Sequence, residues 1–151
     1  MKLQLGVLDV PHPEGETTYI VAEQLEKNYG VYSAFAKTNL PFIASTLAKD
    51  AAARLTAQMR GEPTGKPFAG AGDKITDRFK QFIAKAEIES LSIPGVPTQA
   101  ALAGTSLRTK SGRTISKHKF GTEYKLVYGA RRPSFIYSAV WQGSIKCWVE
   151  K

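Results

Sequence analysis

The longest stretch of helical apolar spacing in this chain runs from Pro41 to Met59 and is bounded on both sides. Thr38 or Asn39 is suited to cap a helix, and Pro41 fits the first turn because its missing N–H has no helical partner there. Gly61 ends the segment. The side chains near one face of this helix are Phe42, Ile43, Leu47, Ala51, Arg54, Leu55 and Met59. The pattern predicts an amphipathic helix that packs into a core through this face.

Weaker helical signals flank this segment. Thr17 or Thr18 precedes apolar residues at helical spacing, and Gly30 stops them. Residues 31–37 either continue as helix after a kink or bridge to the next element. Asp73 is suited to cap a helix over 74–90, and a short helix is predicted at 99–103.

Strand signals lie near both ends of the chain. Leu3, Leu5 and Val7 alternate with polar residues or glycine, which predicts a short strand, although an extended arm over residues 1–16 is equally open. Residues 123–128 and 144–150 predict two further strands. Residues 134–143 are ambiguous.

These elements predict an α+β fold in one domain, residues 1–151. We expect two to three helices packed on a small, mostly antiparallel sheet, with long loops and an extended N-terminal arm. The loops are expected at 61–72, which holds four glycines and two prolines, and at 107–121. Such long connections are often functional or become ordered on assembly.

The net charge of +8 is segregated along the chain. Residues 1–104 carry 11 Lys/Arg and 11 Asp/Glu, whereas residues 105–151 carry 10 Lys/Arg and 2 Asp/Glu, so the whole excess lies in the last third. This asymmetry indicates an acidic partner for that part, either nucleic acid or an acidic protein surface. A solvated basic face that keeps the protein soluble is the alternative.

The candidate contacts to an acidic partner or DNA are the cations of the basic segment and of the turn that follows. They are Arg108, Lys110, Arg113, Lys117, Lys119, Arg131 and Arg132. Aromatic residues are not interleaved with these cations, and no sequence-reading motif accompanies them. We therefore expect electrostatic contact with a backbone or an acidic neighbour rather than sequence recognition.

No residue pattern indicates catalysis. His12 and His118 have no cysteine or second histidine at metal-ligand spacing, and the glycines of 61–72 do not match a phosphate-binding loop. Cys147 is the single cysteine, so an intrachain disulfide is impossible. Its apolar neighbours predict a buried position in a strand. We expect no enzyme activity, no cofactor and no metal.

Apolar runs are too short for a membrane protein. None approaches the ~20 residues needed to span a bilayer, and the first ten residues do not form a secretory signal. We expect a protein made in the cytoplasm, with no membrane contact.

The C-terminal stretch from Arg132 to Val149 resembles a pattern in virion proteins of tailed bacteriophages. Neck, tail-completion and minor tail proteins often carry Pro-x-x-Thr-Gly-x-Leu-x-x-Ser-Ile/Leu leading into a strand. Here Ser138 stands where threonine is usual, Trp141 where leucine is usual, and Ser144 and Ile145 match, while alanine replaces the usual glycine at 139. In physical terms, a capped turn buries Trp141 and leads into the closing strand.

This resemblance implies a structural protein of the virion, assembled in the host cytoplasm, at the head–tail junction or tail end. It implies a homo-oligomeric ring that meets other virion proteins through loops and arms, with non-specific contact to packaged DNA. Such proteins carry no catalytic residues. The alternatives are a basic nucleic-acid-binding accessory protein and a capsid decoration protein.

Overall fold

The fold is α+β, as the sequence predicts. The computed structural model describes residues 2–11, 16–103, 115–116, 125–126, 131–135 and 139–150. Its strands are β1 (Lys2–Val7), β2 (Ile115–Ser116), β3 (Lys125–Leu126) and β4 (Ile145–Glu150). Its helices are α1 (Thr18–Tyr29), α2 (Val31–Thr38), α3 (Leu40–Met59), α4 (Ala69–Ala84), α5 (Gln99–Ala103) and α6 (Ala139–Ser144), with a 3-10 helix at Glu87–Leu91.

A glycine kink separates α1 from α2. Gly30 adopts the left-handed conformation (φ 59°), which glycine reaches without steric cost, and its N–H donates to the Glu26 carbonyl. The Glu26 carboxylate then accepts from the Tyr32 N–H at 2.8 Å and from the Ser33 hydroxyl. An anion at the start of a helix is favourable, so α1 provides the N-terminal cap of α2. Of the two sequence alternatives for 31–37, the kinked helix is correct.

Helix α3 starts where the sequence predicts, but α4 does not. Asn39 precedes α3 and Pro41 lies in its first turn. Helix α4 begins at Ala69 rather than after Asp73, so the loop predicted at 61–72 is shorter. The guanidinium of Arg54 holds this loop against α3 by donating to the carbonyls of Gly65 and Lys66 at 2.9 and 2.8 Å.

Residues Lys2–Val7 form a strand that pairs with the body of the protein; they do not form the extended arm that was the alternative. Strand β1 pairs antiparallel with β4 in a register that sets Lys2 opposite Glu150 and Val7 opposite Ile145. Beyond it, the Thr18 hydroxyl accepts from the Val10 N–H at 2.9 Å and donates to the Leu8 carbonyl at 2.6 Å. Thr18 is fully buried, so it anchors the chain between β1 and α1.

The core lies between α4, α2 and the sheet, and Phe79 is at its centre. Phe79 contacts Phe35 edge-on at 4.8 Å between ring centroids, Tyr32 at 5.0 Å and Trp141 at 6.5 Å. The buried apolar cluster comprises Val31, Phe35, Ile75, Phe79, Phe82, Ile83, Ile88, Trp141 and Ile145. Burial of such side chains stabilises the fold by about 1.5–3 kcal/mol each.

Two glycines define the order of layers around α4. A Cβ at Gly72 would lie 3.1 Å from the Cys147 carbonyl of β4, whereas a Cβ at Gly70 would face the Asp50 carboxylate of α3 at 3.8 Å. Residues two apart on a helix point about 200° apart. The first turn of α4 therefore lies between α3 on one side and β4 on the other.

None of the described helices combines the length and apolar character required to cross a lipid bilayer.

Candidate interaction surfaces

The described residues on either side of the basic segment lie close together. The Arg132 N–H donates to the Ala101 carbonyl at 3.2 Å, so the chain re-enters beside α5, where it left. Between these points, Ile115 pairs with Leu126 and Ser116 with Lys125 in an antiparallel ladder. Residues 104–130, predicted as a loop over 107–121, therefore include a β-hairpin, and they carry six Lys/Arg against one acid.

One carboxylate organises the base of this hairpin. Glu89 Oε1 accepts from the Ser134 N–H at 2.9 Å and from its hydroxyl at 2.8 Å, and Oε2 accepts from Arg131 at 2.6 Å. The Ser134 hydroxyl in turn accepts from the Thr98 N–H at 3.1 Å. We call Glu89, Thr98, Arg131 and Ser134 the hairpin base.

The electrostatics of the hairpin base favour an ionised Glu89. Burial opposes ionisation, but the hydrogen bonds from Ser134 and Arg131 outweigh it and lower the pKa of the Glu89 carboxyl. The Glu89 side chain is 10% exposed, whereas that of Arg131 is 62% exposed. Most of the interaction energy therefore comes from the bonds to Ser134, since an exposed ion pair contributes only ~0–1 kcal/mol.

The predicted contact cations divide into two groups. Arg131 and Arg132 lie at the hairpin base, where Arg131 is exposed and Arg132 is half-buried. The remaining five lie outside the described residues; they are Arg108, Lys110, Arg113, Lys117 and Lys119. No pattern in the sequence singles out Glu89, whose ion pair with Arg131 joins positions 42 residues apart.

The C-terminal motif forms the junction between α6 and β4. Trp141 is 3% exposed and its ring packs on Phe79. The Ser144 hydroxyl donates to the Trp141 carbonyl at 2.7 Å, which closes the last turn of α6, and Ile145 begins β4 in the core. Ser138 lies beyond the part of the chain that the structure describes.

The hydroxyl of Tyr32 is buried in the core beside Trp141. Desolvation raises the pKa of its hydroxyl to about 12, while Trp141 lowers it and Glu26 raises it further. The Tyr32 hydroxyl and the Trp141 indole N–H are both buried, and neither has a hydrogen bond of regular geometry among the described residues. Tyr32 is therefore neutral at physiological pH and serves packing against Phe79.

A second ion pair stabilises the 3-10 helix that carries Glu89. Arg78 of α4 makes a two-pronged contact with Glu87, at 2.9 and 2.6 Å. The hydrogen bond to Arg78 lowers the pKa of Glu87, and the same bond raises the pKa of Arg78. This pair ties the 3-10 helix that carries Glu89 to α4.

Cys147 has the properties of a structural residue. Burial raises the pKa of its thiol to about 11, with a further contribution from the Asp73 carboxylate. The thiolate is the reactive form of cysteine, so this thiol is unreactive near neutral pH.

The packing face predicted for α3 is correct for Ile43, Leu47 and Arg54 and wrong for Phe42, Ala51, Leu55 and Met59, which are exposed. Leu55 is 59% exposed and Met59 is 82% exposed, and Ala51 is also exposed. The inward stripe consists instead of Ile43, Thr46, Leu47, Asp50, Arg54 and Ala57. The solvent-facing side of α3 thus carries exposed apolar side chains.

No group of three or more His, Cys, Asp or Glu side chains is placed to hold a metal ion within the described ranges. Comparisons with protein families, with characterised proteins and with solved structures found no match to this chain.

Proposed function

We propose that this chain is a structural subunit of a tailed-bacteriophage particle, at the neck or tail terminus, and that it acts by assembling into a ring with copies of itself. The observation that carries the proposal is the basic segment 104–130, because its six Lys/Arg lie between two chain positions that one hydrogen bond joins on the folded body. In a ring that surrounds DNA, cations of this segment would attract the phosphate backbone.

Two further features support the same role. The resemblance in the C-terminal stretch coincides with a structural junction, since Trp141 fills the core and Ile145 begins the closing strand. Helix α3 also presents an apolar side to solvent, as a protein that works through contacts with other subunits requires.

The test is incorporation into particles. Particles from a host that carries this gene are purified by density gradient, and their proteins are quantified by mass spectrometry. The proposal predicts a fixed, low copy number per particle that survives a high-salt wash. A protein that is abundant in the lysate and absent from the particles contradicts it.

A nucleic-acid-binding accessory protein is the second candidate, and the confinement of the charge excess to 105–151 favours it. Neutralising Arg108, Lys110, Arg113, Lys117 and Lys119 to glutamine is then expected to abolish DNA binding. With five phosphate contacts, the slope of log K against log salt is about −4 to −5 in the unaltered protein.

A matched control neutralises five exposed lysines elsewhere, with the same change in net charge. They are Lys2, Lys27, Lys37, Lys74 and Lys85. Equal loss of binding in both sets contradicts a role for the hairpin, and binding without a salt slope contradicts the electrostatic mechanism.

A further inference from the structure

Strand β1 has one edge that β4 does not occupy. In an antiparallel pair, successive residues point their N–H and C=O groups alternately toward and away from the partner strand. The Leu8 N–H donates to the Ser144 carbonyl at 2.8 Å, which extends the β1–β4 register by one pair, so the even-numbered residues of β1 face β4. Leu3, Leu5 and Val7 therefore direct their backbone groups to the other edge.

These three residues form an unpaired edge, which we call the β1 edge. Each of them carries one backbone donor and one backbone acceptor. None of these groups makes a hydrogen bond within the part of the chain that the structure describes. Donors and acceptors spaced along an extended strand are a template for the backbone of another strand.

The described helices around the sheet leave the β1 edge open. Helix α4 packs along β4, where Gly72 lies close to the Cys147 carbonyl on the side away from β1. The start of α1 is held by Thr18, which bonds to Leu8 and Val10. These two residues belong to the same alternating set as the residues that face β4, so α1 begins on the β4 side.

Strand β1 lacks the features by which edge strands usually avoid pairing, which are charges, prolines and bulges. The six residues between Lys2 and Asp9 include no charge and no proline, and β1 pairs with β4 without a bulge. The side chains of Leu3, Leu5 and Val7 contact the core but are only half-buried. The apolar layer under the sheet therefore continues up to the β1 edge.

The charges at the two ends of this segment have opposite signs. Lys2 lies at its start and Asp9 at its end, and both side chains are exposed. If two copies pair antiparallel, Lys2 of each copy comes near Asp9 of the other, which is favourable. Parallel pairing would instead bring like charges together. The segment is thus complementary to a second copy of itself in the antiparallel direction.

We propose that the β1 edges of two copies of this chain pair antiparallel about a two-fold axis and join their sheets into one four-stranded sheet. The strand order is β4, β1, then β1 and β4 of the second copy. The register that uses every group of both edges sets Leu5 opposite Leu5 and Leu3 opposite Val7. A two-fold axis perpendicular to the sheet keeps both α4 helices on one face, and each helix stays on the β4 side, clear of the new contact.

This contact goes beyond the proposed ring, because it joins two copies whether or not they belong to a virion. It is also small, since a strand of six residues is only about 20 Å long. We therefore expect a dimer that forms as the protein concentration rises rather than a permanent one.

Amide hydrogen exchange of the purified chain, followed by NMR, tests the proposal directly. In dilute solution we expect fast exchange at Leu3, Leu5 and Val7 and slow exchange at Gln4 and Gly6, whose N–H groups face β4. In concentrated solution, exchange at Leu3, Leu5 and Val7 is expected to slow at least tenfold, while Gln4 and Gly6 do not change. Exchange at the β1 edge that is independent of concentration overturns the pairing.

Spin labels measure the direction of the two strands. Glu150→Cys in a Cys147→Ser background places a label on β4, opposite Lys2. In the antiparallel arrangement the two labelled positions are three strand spacings and six residues apart, which is about 25 Å. Pulsed electron paramagnetic resonance on concentrated protein is expected to give this distance. A distance near ~15 Å corresponds to parallel strands and overturns the proposal.

A charge variant tests why a second copy is the partner. Asp9→Lys places a lysine beside Lys2 of the other copy, whereas Asp77→Lys makes the same change in net charge at an exposed position of α4. We expect Asp9→Lys to raise the dissociation constant of the dimer at least fivefold over Asp77→Lys, measured by sedimentation velocity. Equal dissociation constants for the two variants overturn the proposed register.

The strand pairing and the proposed function are tested separately. A ring seen by native mass spectrometry whose β1-edge amides exchange freely overturns the pairing and leaves the proposed function intact. Protected β1-edge amides in a protein that is absent from particles support the pairing and overturn the proposed function.

Discussion

Removal of the Glu89 carboxylate is expected to destabilise the fold substantially, because this side chain accepts three hydrogen bonds from residues distant in sequence. In Glu89→Ala, the Ser134 N–H loses its acceptor, and Ser134 is fully buried. A buried donor without a partner costs about 1–3 kcal/mol. The Ser134 hydroxyl loses a second bond, and Arg131 loses an exposed ion pair that contributes at most ~1 kcal/mol. We expect a total loss of about 2–4 kcal/mol.

Two milder substitutions separate the contributions of the individual Glu89 contacts to the free energy of unfolding. Glu89→Gln keeps an oxygen that accepts from Ser134, so its expected cost is about 1–2 kcal/mol. Arg131→Ala removes only the exposed partner and is expected to cost under about 1 kcal/mol. Glu62→Ala is the matched control, because Glu62 is 56% exposed and lies 4.0 Å from Arg60. Its expected effect is close to zero.

Urea-induced unfolding, followed by circular dichroism at one fixed protein concentration, measures these differences. The concentration is held constant because association stabilises the folded state. With a slope of about 2 kcal/mol per molar urea, Glu89→Ala lowers the midpoint by about 1–2 M. An effect of Glu89→Ala no larger than that of Glu62→Ala would refute the reasoning.

The pH dependence follows from the lowered pKa of Glu89. A carboxyl whose folded pKa lies below its unfolded value, near 4.3, stabilises the fold fully above that value. This contribution is lost as the pH falls through the folded pKa. The stability difference between the unaltered protein and Glu89→Gln is therefore expected to be constant from pH 5 to 8 and to shrink below about pH 4. A difference that grows on acidification contradicts the assignment.

Three other perturbations follow from the packing. Phe79→Ala empties the centre of the core and is expected to cost about 3–5 kcal/mol in urea unfolding; a loss under 1 kcal/mol contradicts the core assignment. Gly6→Val displaces the Trp148 ring and is expected to increase iodide quenching of tryptophan fluorescence while stability changes by about 1 kcal/mol or less; unchanged quenching contradicts the stacked position. A double-mutant cycle of Arg78→Ala and Glu87→Ala is expected to give a coupling of about 0.5–1 kcal/mol, and strictly additive effects contradict the pair.

Local signals in the sequence predict where most elements lie. Gly30 and Pro41 mark helix boundaries because each restricts the backbone by itself, and both boundaries agree with the structure. The start of α4 differs, since Phe68 in a left-handed conformation precedes it and Asp73 is an exposed residue of the helix. A favourable capping residue indicates a possible start, but Gly72 already lies within the helix, close to β4, one residue before Asp73.

The error in α3 has a physical cause. The helix carries two apolar stripes side by side, one through Ile43 and Leu47 and one through Ala51 and Leu55. Periodicity shows that a helix has apolar stripes, but it does not show which one a neighbour covers. The inward stripe contains Asp50, which lies beside the first turn of α4, where the helix dipole favours an anion.

Contacts between residues far apart in the sequence could not be predicted from local residue patterns. Glu89 meets Ser134 at a separation of 45 residues, and β1 pairs with β4 across almost the whole chain. No local spacing reports such distances. The charge segregation, in contrast, needs only counting, and the basic segment that it identifies contains the strands β2 and β3.

Native mass spectrometry of the purified chain at micromolar concentration and physiological ionic strength tests the central claim most directly. A subunit that acts by ring assembly is expected to give one dominant species, a fixed multiple of the 16.5 kDa chain that persists on dilution. A monomer at every concentration, both with and without DNA, would contradict the account.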